Sequence, residues 1–337
     1  SDDQAKSVIQ DAASFASNAE EQLFYEFVQN AYDASANSLF FFANEQYLVV
    51  LNHGEPFYTD SDIFESQSVR DGQLYNFLAK GKSAKRNDSD KLGKYGQGSK
   101  LLYTLLTDVN ESEENEELLI QALYDGRKGP YLISWYNRAQ LANLLEKPSE
   151  WTFAEFDDYK ENILFAKILM TYYPIAPGRS EEWFPSSEAI NAIEAFDNLV
   201  NPRRTLHSLD KGTALIIPLG KGKYEKIISE DNLRRVRTRL ECFAAITKSQ
   251  ERNNGKTVEH ICVMGEDVEQ NEVQSVFVNF ESDGKPFYYH FAFNPVFAKK
   301  DFVNRFKGLP ILEAKLGLGF IIDSHDFEVD DSRQRIS

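Results

Sequence analysis

Residues 26–34 read EFVQNAYDA, a stretch typical of a helix with an apolar side and a polar side. At roughly 100° per residue, Glu26, Asn30 and Asp33 project within about 60° of one another, away from the apolar residues around them. Such a polar stripe is either a solvated helix face or a binding surface. Asn is a poor helix former, so its place inside the stripe favours binding. A carboxylate and an amide one turn apart can serve a magnesium ion and a water molecule together.

A second distinctive stretch is KLGKYGQGSK at residues 91–100, where glycines alternate with lysines. The pattern suits either a phosphate-binding loop or a flexible turn. Residues 80–100 carry seven Lys or Arg and two Asp, a net charge of 7 − 2 = +5 in a chain of net charge −16. Charge runs are usually solvated faces. The tripeptide GKS at 81–83 is not a P-loop, because Asn76 stands where a P-loop has its first glycine.

Composition places the chain among globular proteins and narrows its partners. It has 337 residues, 42% hydrophobic and 27% charged, enough for two domains. The net charge of −16 argues against nucleic acid as a partner of the whole surface. Two cysteines and five histidines without metal-type spacing indicate a reducing, cytoplasmic location and no zinc site. No apolar run approaches a membrane span, so we expect no membrane partner. The chain starts with Ser1, which fits a piece of a longer protein.

Periodicity predicts the main elements. A helix should begin after Asn18, with Asn18 and Glu21 as a capping box, and run to about residue 36. The stretch SLFFFANEQYLVVLN, 38–52, predicts two strands around a polar turn, and GTALIIPL, 212–219, predicts a buried strand. Paired strands are expected in 117–125 and 129–137. An amphipathic helix should open at Ser229 and run to about residue 246, and DFVNRFKGL, 301–309, suggests a short helix.

EFVQNAYDA resembles the first motif of the Bergerat-fold (GHKL) ATPases, which include gyrase B, ninety-kilodalton heat-shock chaperones, histidine kinases and MutL. The similar motifs that follow are LNHGEPF at 51–57, KLGKYGQGSK at 91–100 and GTALIIPL at 212–219, in the family's order. The region around the glycine loop and the C-terminal DFEVDDSRQRIS resemble sacsin-like and MORC-like relatives. The resemblance is strong to about residue 220 and weaker beyond.

The resemblance implies an α+β fold, a two-layer α/β sandwich with a mixed sheet covered by helices on one face. A smaller transducer-like α/β domain would follow it. The ATP-binding domain would span 1–222, with a lid at about 78–100, and the transducer-like domain 223–337.

The resemblance also implies the catalytic residues. Glu26 would be the general base that polarises the attacking water, and Asn30 would ligate Mg²⁺. Asp33 would lie at the rim of the nucleotide pocket or would orient the helix by a hydrogen bond. Arg333 would reach the γ-phosphate from the second domain, or it is simply exposed near the end of the chain.

The adenine site departs from the family pattern. Asn52 stands where the family usually has an Asp, and its amide can accept from the adenine amino group and donate to the adjacent ring nitrogen. His53 is the alternative base-side group. Gly54 would let backbone approach the base, and Thr213 would support the site unless it is only a buried strand residue.

The phosphate contacts expected from the resemblance come from the lid and the glycine loop. Backbone N–H groups there would face the phosphates at the start of the following apolar helix. The residues are Lys85, Gly93, Tyr95, Gly96, Gln97, Gly98, Ser99 and Lys100.

The implied function is Mg²⁺-dependent ATP binding and hydrolysis, with lid closure and dimerisation as a switch for further domains. The alternatives are a switch or interaction module that binds ATP without hydrolysing it and a chaperone-type ATPase. A histidine kinase is disfavoured, because residues 1–20 contain no phosphoacceptor histidine.

Overall fold

A computed structural model of the chain shows a mixed α/β protein with two sheets in the part that it describes. The described residues are 19–45, 47–55, 118–124, 131–135, 172–175, 212–219, 222–249, 257–299, 301–329 and 335–336. The helices are α1 (Ala19–Asp33), α2 (Lys223–Ile228), α3 (Glu230–Leu240) and α4 (Phe243–Ser249). A 3-10 turn spans Pro295–Ala298. No helix in these ranges is long and apolar enough to cross a membrane.

The first sheet contains eight strands in the order β5-β4-β3-β6-β2-β1-β7-β8. Its strands are β1 (Ser38–Ala43), β2 (Tyr47–Asn52), β3 (Leu118–Tyr124), β4 (Tyr131–Trp135), β5 (Tyr172–Ile175), β6 (Thr213–Pro218), β7 (His260–Val263) and β8 (Glu266–Asp267). β7 runs parallel to β1, whereas the other neighbours pair antiparallel, so the sheet is mixed.

The predicted hairpin at 38–52 is confirmed. Asn44 donates its backbone N–H to the Tyr47 carbonyl at 3.0 Å, and its side chain accepts the Tyr47 N–H at 2.8 Å. This asparagine turn joins β1, whose buried residues alternate from Leu39 to Ala43, to β2, whose four central residues are all buried. The predicted strands at 213–218, 118–124 and 131–135 are present as well.

The helix α1 packs on one face of this sheet. The ring of Phe41 in β1 lies 4.7 Å from that of Phe24 and 6.2 Å from that of Phe27, centroid to centroid. The same sheet face supplies Leu39, Phe41, Ala43, Leu48, Val50, Leu215, Ile217, Ile261 and Val263 to the core. Packed apolar rings and aliphatic side chains therefore hold α1 against the centre of the sheet.

The helix predicted from Ser229 begins as expected, but it ends early. The Ser229 hydroxyl caps α3 by accepting the Asn232 N–H at 3.4 Å. The expectation of one continuous helix to residue 246 is wrong, because Cys242 adopts a left-handed φ of 67° and separates α3 from α4. The buried guanidinium of Arg305 donates to the carbonyls of Arg239 and Glu241, which compensates for the helical bonds lost at this break.

The second sheet has the strand order β12-β11-β13-β10-β9. Its strands are β9 (Gln274–Ser282), β10 (Lys285–Phe293), β11 (Arg305–Phe306), β12 (Leu309–Pro310) and β13 (Phe320–Ser324). The short helix predicted at 301–309 is wrong. Lys307 and Gly308 have left-handed φ values of 51° and 82°, which turn the chain between two short antiparallel strands instead.

The first sheet also includes residues that follow position 222. Strand β7 pairs with β1, and the helices α2 and α3 contact α1. The second sheet is built from residues 274–324. The division into domains at 222/223 stays a prediction.

Candidate functional site

The polar stripe of α1 is enclosed by the protein. Glu26 exposes 9% of its surface and Asp33 4%, and Asn30 is half-buried. A solvated helix face would leave these side chains in water, so this alternative fails for Glu26 and Asp33. Buried carboxylates are costly without partners, and both residues make hydrogen-bonding or electrostatic interactions.

Asn52 and Thr213 stand opposite each other across β2 and β6, at one end of the first sheet. Because side chains alternate along a strand, Asn52 shares its face with Leu48 and Val50, the face on which α1 packs. Directly opposed residues of an antiparallel pair have Cβ atoms about 5 Å apart. Thr213 is buried and Asn52 half-buried, so the two polar groups can act on one ligand.

The side chain of Asn52 shapes the turn that follows β2. Its Oδ1 accepts the backbone N–H of Gly54 at 3.1 Å. An amide oxygen has two lone pairs, so it can accept a second hydrogen bond from a ligand. The Gly54 bond also sets which end of the amide carries the oxygen.

Position 54 needs a glycine because the backbone at the end of α1 lies very close to it. A Cβ there would lie 2.5 Å from the Ala34 carbonyl oxygen and 2.9 Å from the Ala36 nitrogen. The neighbouring Glu55 N–H donates to the Ala34 carbonyl at 2.6 Å. The turn after β2 is therefore joined to the end of α1, next to Asp33. The crowding at Gly54 comes from protein backbone, whereas the predicted role was to admit a base.

Gly212, which was not predicted as a site residue, lies at a second close contact between backbone segments. Its φ of +134° is rare for residues with a side chain, and a Cβ would overlap the Asn52 carbonyl oxygen and crowd the His53 Cα. The residue thus allows the start of β6 to lie against the turn after β2. The signal was present in the sequence, since Gly212 directly precedes Thr213 at the start of a predicted strand.

The remaining predicted site residues lie outside the described part of the chain. They are Lys85, Gly93, Tyr95, Gly96, Gln97, Gly98, Ser99, Lys100 and Arg333. Within the described ranges, no group of three or more His, Cys, Asp or Glu side chains could hold a metal ion. The structure thus brings Asp33, Asn52, Gly54 and Thr213 to one end of the sheet, with Asn30 and Glu26 farther back along α1.

A buried ionic cluster on α1 was also missed. Glu21, predicted as half of a capping box, makes other contacts in the structure. Its carboxylate accepts hydrogen bonds from Tyr25 Oη at 2.5 Å, from Arg239 and from Arg235 Nε at 3.2 Å. Burial, reinforced by Glu21, raises the pKa of Tyr25 well above its usual range. The Asn18 half of the predicted box lies outside the described residues. No sequence signal links Glu21 to a residue 218 positions away.

Neither a protein-family model nor a curated protein matches the sequence. Among solved structures, the chain is similar to the ATPase region of Saccharomyces cerevisiae topoisomerase II, at 11% identity and a TM-score of 0.39, over 86% of this chain and 61% of that one. The same region bound to ICRF-187 (dexrazoxane) is similar at 10% identity and a TM-score of 0.40, over 86% and 62%.

A further similar structure holds the ATPase and transducer domains of DNA topoisomerase II from Balamuthia mandrillaris. Its identity is 11% and its TM-score 0.38, over 85% of this chain and 57% of that one. The chain spans less than two thirds of the length of each of these three structures.

Proposed function

We propose that this chain is a Bergerat-type module that binds and hydrolyses ATP with Mg²⁺. Three segments distant in sequence meet at one end of the first sheet, and this convergence supports the proposal. They are the end of α1 with Asp33, the turn after β2 with Asn52 and Gly54, and the start of β6 with Thr213. These are the positions that the family resemblance assigns to nucleotide binding.

The donor set suits an adenine nucleotide. Asn52 and Thr213 offer one amide and one hydroxyl side by side, which can accept from and donate to a base edge. Gly54 lets the turn after β2 approach the end of α1, and Gly212 lets the start of β6 approach that turn, so the three segments lie close together. Asp33, buried beside the turn, would lie at the rim of the nucleotide pocket.

The stripe of α1 suits the phosphate end of the ligand. Asn30 and Glu26 lie about 6 Å apart along the helix axis, one turn from each other. Asn30 would hold Mg²⁺, which takes few protein ligands when phosphates supply the others. Bound Mg²⁺ neutralises charge on the phosphates. Glu26 would hold and polarise the attacking water, a task that suits a carboxylate shielded from bulk solvent.

The rest of the chain would convert nucleotide occupancy into movement. Lys85, the glycine-rich stretch with Tyr95, Gln97 and Ser99, and Lys100 would cover the phosphates as a lid, and Arg333 would contact the γ-phosphate. Residues 1–222 would form the two-layer ATPase domain, and residues 223–337 the transducer-like domain. Lid closure would favour a homodimer or docking onto further domains.

The decisive experiment compares Glu26→Gln with the parent chain in steady-state ATP hydrolysis and in ATP binding, both with Mg²⁺. We expect Glu26→Gln to lose about 100-fold or more in turnover while it retains ATP, since general bases contribute about 10²–10⁴. The matched control is Glu20→Gln, on the same helix but paired with Lys223 at 3.4 Å outside the stripe. It should leave both measurements unchanged.

The same measurements distinguish the alternatives. A parent chain that binds ATP without turnover is a non-hydrolysing switch, and one that binds no ATP refutes the proposal. If Glu26→Gln hydrolyses ATP like the parent, Glu26 is not the base. Turnover that rises more steeply than protein concentration would support dimerisation.

A further inference from the structure

The second sheet exposes one continuous apolar face, here called the aromatic face. By strand register, Val276, Val278 and Phe280 of β9 share it with their partners on β10 and with two residues of β13. Its other members are Phe287, Tyr289, Phe291, Phe293, Phe320 and Ile322. The opposite side of the sheet is covered in part: Ala292 and Ile321 join the core with Phe297 there, whereas Phe277 and Tyr288 on the same side are exposed. No member of the aromatic face joins this core.

The aromatic face is open to solvent. Val276 exposes 50% of its surface, Phe280 48%, Val278 40% and Phe293 37%, and the remaining members are half-buried. The ring of Phe280 stacks on Phe287, 5.1 Å between centroids. These contacts hold the rings in place before any partner arrives. Proteins rarely expose contiguous apolar patches of this kind unless the patch binds something.

Charges around the aromatic face favour a cationic partner. In residues 274–293 and 320–328, the acidic side chains that lie outside the buried core and away from the opposite side of the sheet are Asp283, Asp326 and Glu328, and Lys285 is the single basic one. The balance is 1 − 3 = −2, within a chain of net charge −16. A second copy of this chain would bring the same negative charges to the interface. A partner with lysines or arginines would be attracted instead.

The dimensions of the face match a helix. Three strands about 4.8 Å apart form a strip about 10 Å wide, the diameter of an α-helix. Nine residues of β10 extend about 30 Å, the length of about 20 helical residues. We propose that the aromatic face binds an amphipathic helix of another protein, with lysines or arginines bordering the helix's apolar stripe. Such a helix completes the layer that the sheet lacks on this side. The proposal does not depend on ATP binding, because the aromatic face lies on the second sheet and the candidate nucleotide site on the first.

The probe is a synthetic leucine–lysine peptide of about 20 residues in amphipathic helical order. Its controls are a peptide of the same composition in scrambled order and a leucine–glutamate counterpart. Binding is measured by fluorescence anisotropy, and protected amides are located by hydrogen exchange. We expect the ordered cationic peptide to bind and to protect residues 274–293. Both control peptides should bind at least about tenfold more weakly, because one lacks the apolar stripe and the other the positive charge.

Two variants of β9 distinguish apolar docking from charge attraction. Phe280→Asp adds negative charge to the aromatic face, so purely ionic binding would strengthen, whereas docking on the face should weaken about tenfold or more. Phe277→Asp is the matched control: Phe277 is 47% exposed on the opposite side of the same strand, where it stacks on His290. It should bind the peptide like the parent.

Each other result overturns the proposal. Unchanged or tighter binding by Phe280→Asp would mean charge attraction alone, and equal losses in both variants would mean that the peptide pairs with the edge of β9. A parent chain that binds no peptide would also refute the site. A parent dimer that Phe280→Asp converts to monomer in sedimentation would identify a second copy as the occupant.

Discussion

The guanidinium of Arg239 donates to the carboxylate of Glu21, and both side chains are buried. The pair joins α3 to α1, the helix that carries Glu26 and Asn30. Arg305 extends the connection, because it donates to the Arg239 carbonyl from β11 of the second sheet. A continuous set of buried polar contacts therefore runs from the candidate catalytic helix to the second sheet.

Loss of this pair should be costly. Removal of one partner of a buried ion pair leaves an uncompensated buried charge, which typically costs about 3–5 kcal/mol. We therefore expect Glu21→Gln or Arg239→Met to lower the free energy of unfolding by about that amount, measured in urea. The double variant should lose less than the sum of the two single losses. Glu20→Gln is the control, since the pair of Glu20 with Lys223 is more exposed and should cost below about 1 kcal/mol. Equal losses from Glu21→Gln and Glu20→Gln would contradict the assignment.

A comparison of Gly212 with Gly222 separates the effect of backbone crowding from that of a positive φ. Both have positive φ, +134° and +72°, but a Cβ at Gly212 would overlap the Asn52 carbonyl, whereas nothing lies within 4 Å of one at Gly222. Gly222→Ala should cost about 1 kcal/mol from backbone strain alone. Gly212→Ala should cost clearly more, because Asn52 and β6 must separate. Urea unfolding of both variants measures the difference, and equal costs would show that the close approach is unimportant.

The elements that the sequence predicted well are those defined by local chemistry. The hairpin at 38–52 follows from two apolar runs on either side of the polar turn at Asn44, and the start of α3 follows from the Ser229 cap. The end of α3 depends instead on Arg305, 64 positions beyond Glu241, so no local pattern predicts it.

The same distinction holds at the site. The stripe of Glu26, Asn30 and Asp33 is visible from helical spacing alone. The opposition of Asn52 and Thr213 depends on the register between two strands that are distant in sequence. The sequence places Gly212 directly before a predicted strand, but the reason why only glycine fits there, the close approach to Asn52 and His53, depends on that same register.

Cys242 provides a prediction about pH. Burial raises the pKa of its thiol to about 11, whereas an unfolded cysteine ionises near pH 8.5. The folded state therefore keeps its proton while the unfolded state loses it, so this group lowers stability as pH rises from about 8.5 to 11. In a Cys262→Ala background, urea midpoints should fall over that range more than in a variant that also carries Cys242→Ala.

The thiol of Cys242 should also be unreactive in the folded chain. In the same Cys262→Ala background, a chromogenic disulfide reagent at pH 8 should label it slowly without denaturant and rapidly in urea. Rapid labelling of the folded chain would contradict the burial of this thiol.

The hydrogen bond from Gly54 to Asn52 predicts a preference for adenine. Because Oδ1 accepts the Gly54 N–H, rotating the amide by 180° would place its NH₂ group against that donor. The amide is thus held in one orientation, and guanine, which presents donor and acceptor in the reverse order, cannot be matched by a flip. In a displacement assay with bound ATP, we expect the affinity of GTP to be at least about tenfold lower than that of ATP. A tenfold difference in affinity corresponds to roughly 1.4 kcal/mol of binding free energy.

Asn52→Ala should remove that preference and weaken ATP binding, and Asn52→Asp should retain an acceptor for the adenine amino group. The control is Asn44→Ala, whose side chain also accepts a backbone N–H in a turn, but at the opposite end of the β1–β2 hairpin. Asn52→Ala and Asn44→Ala each lose one turn hydrogen bond, so they should lose similar stability. If Asn52 contacts the base directly, only Asn52→Ala should lose the preference for ATP over GTP. If ATP and GTP compete equally in the parent chain, Asn52 does not read the base.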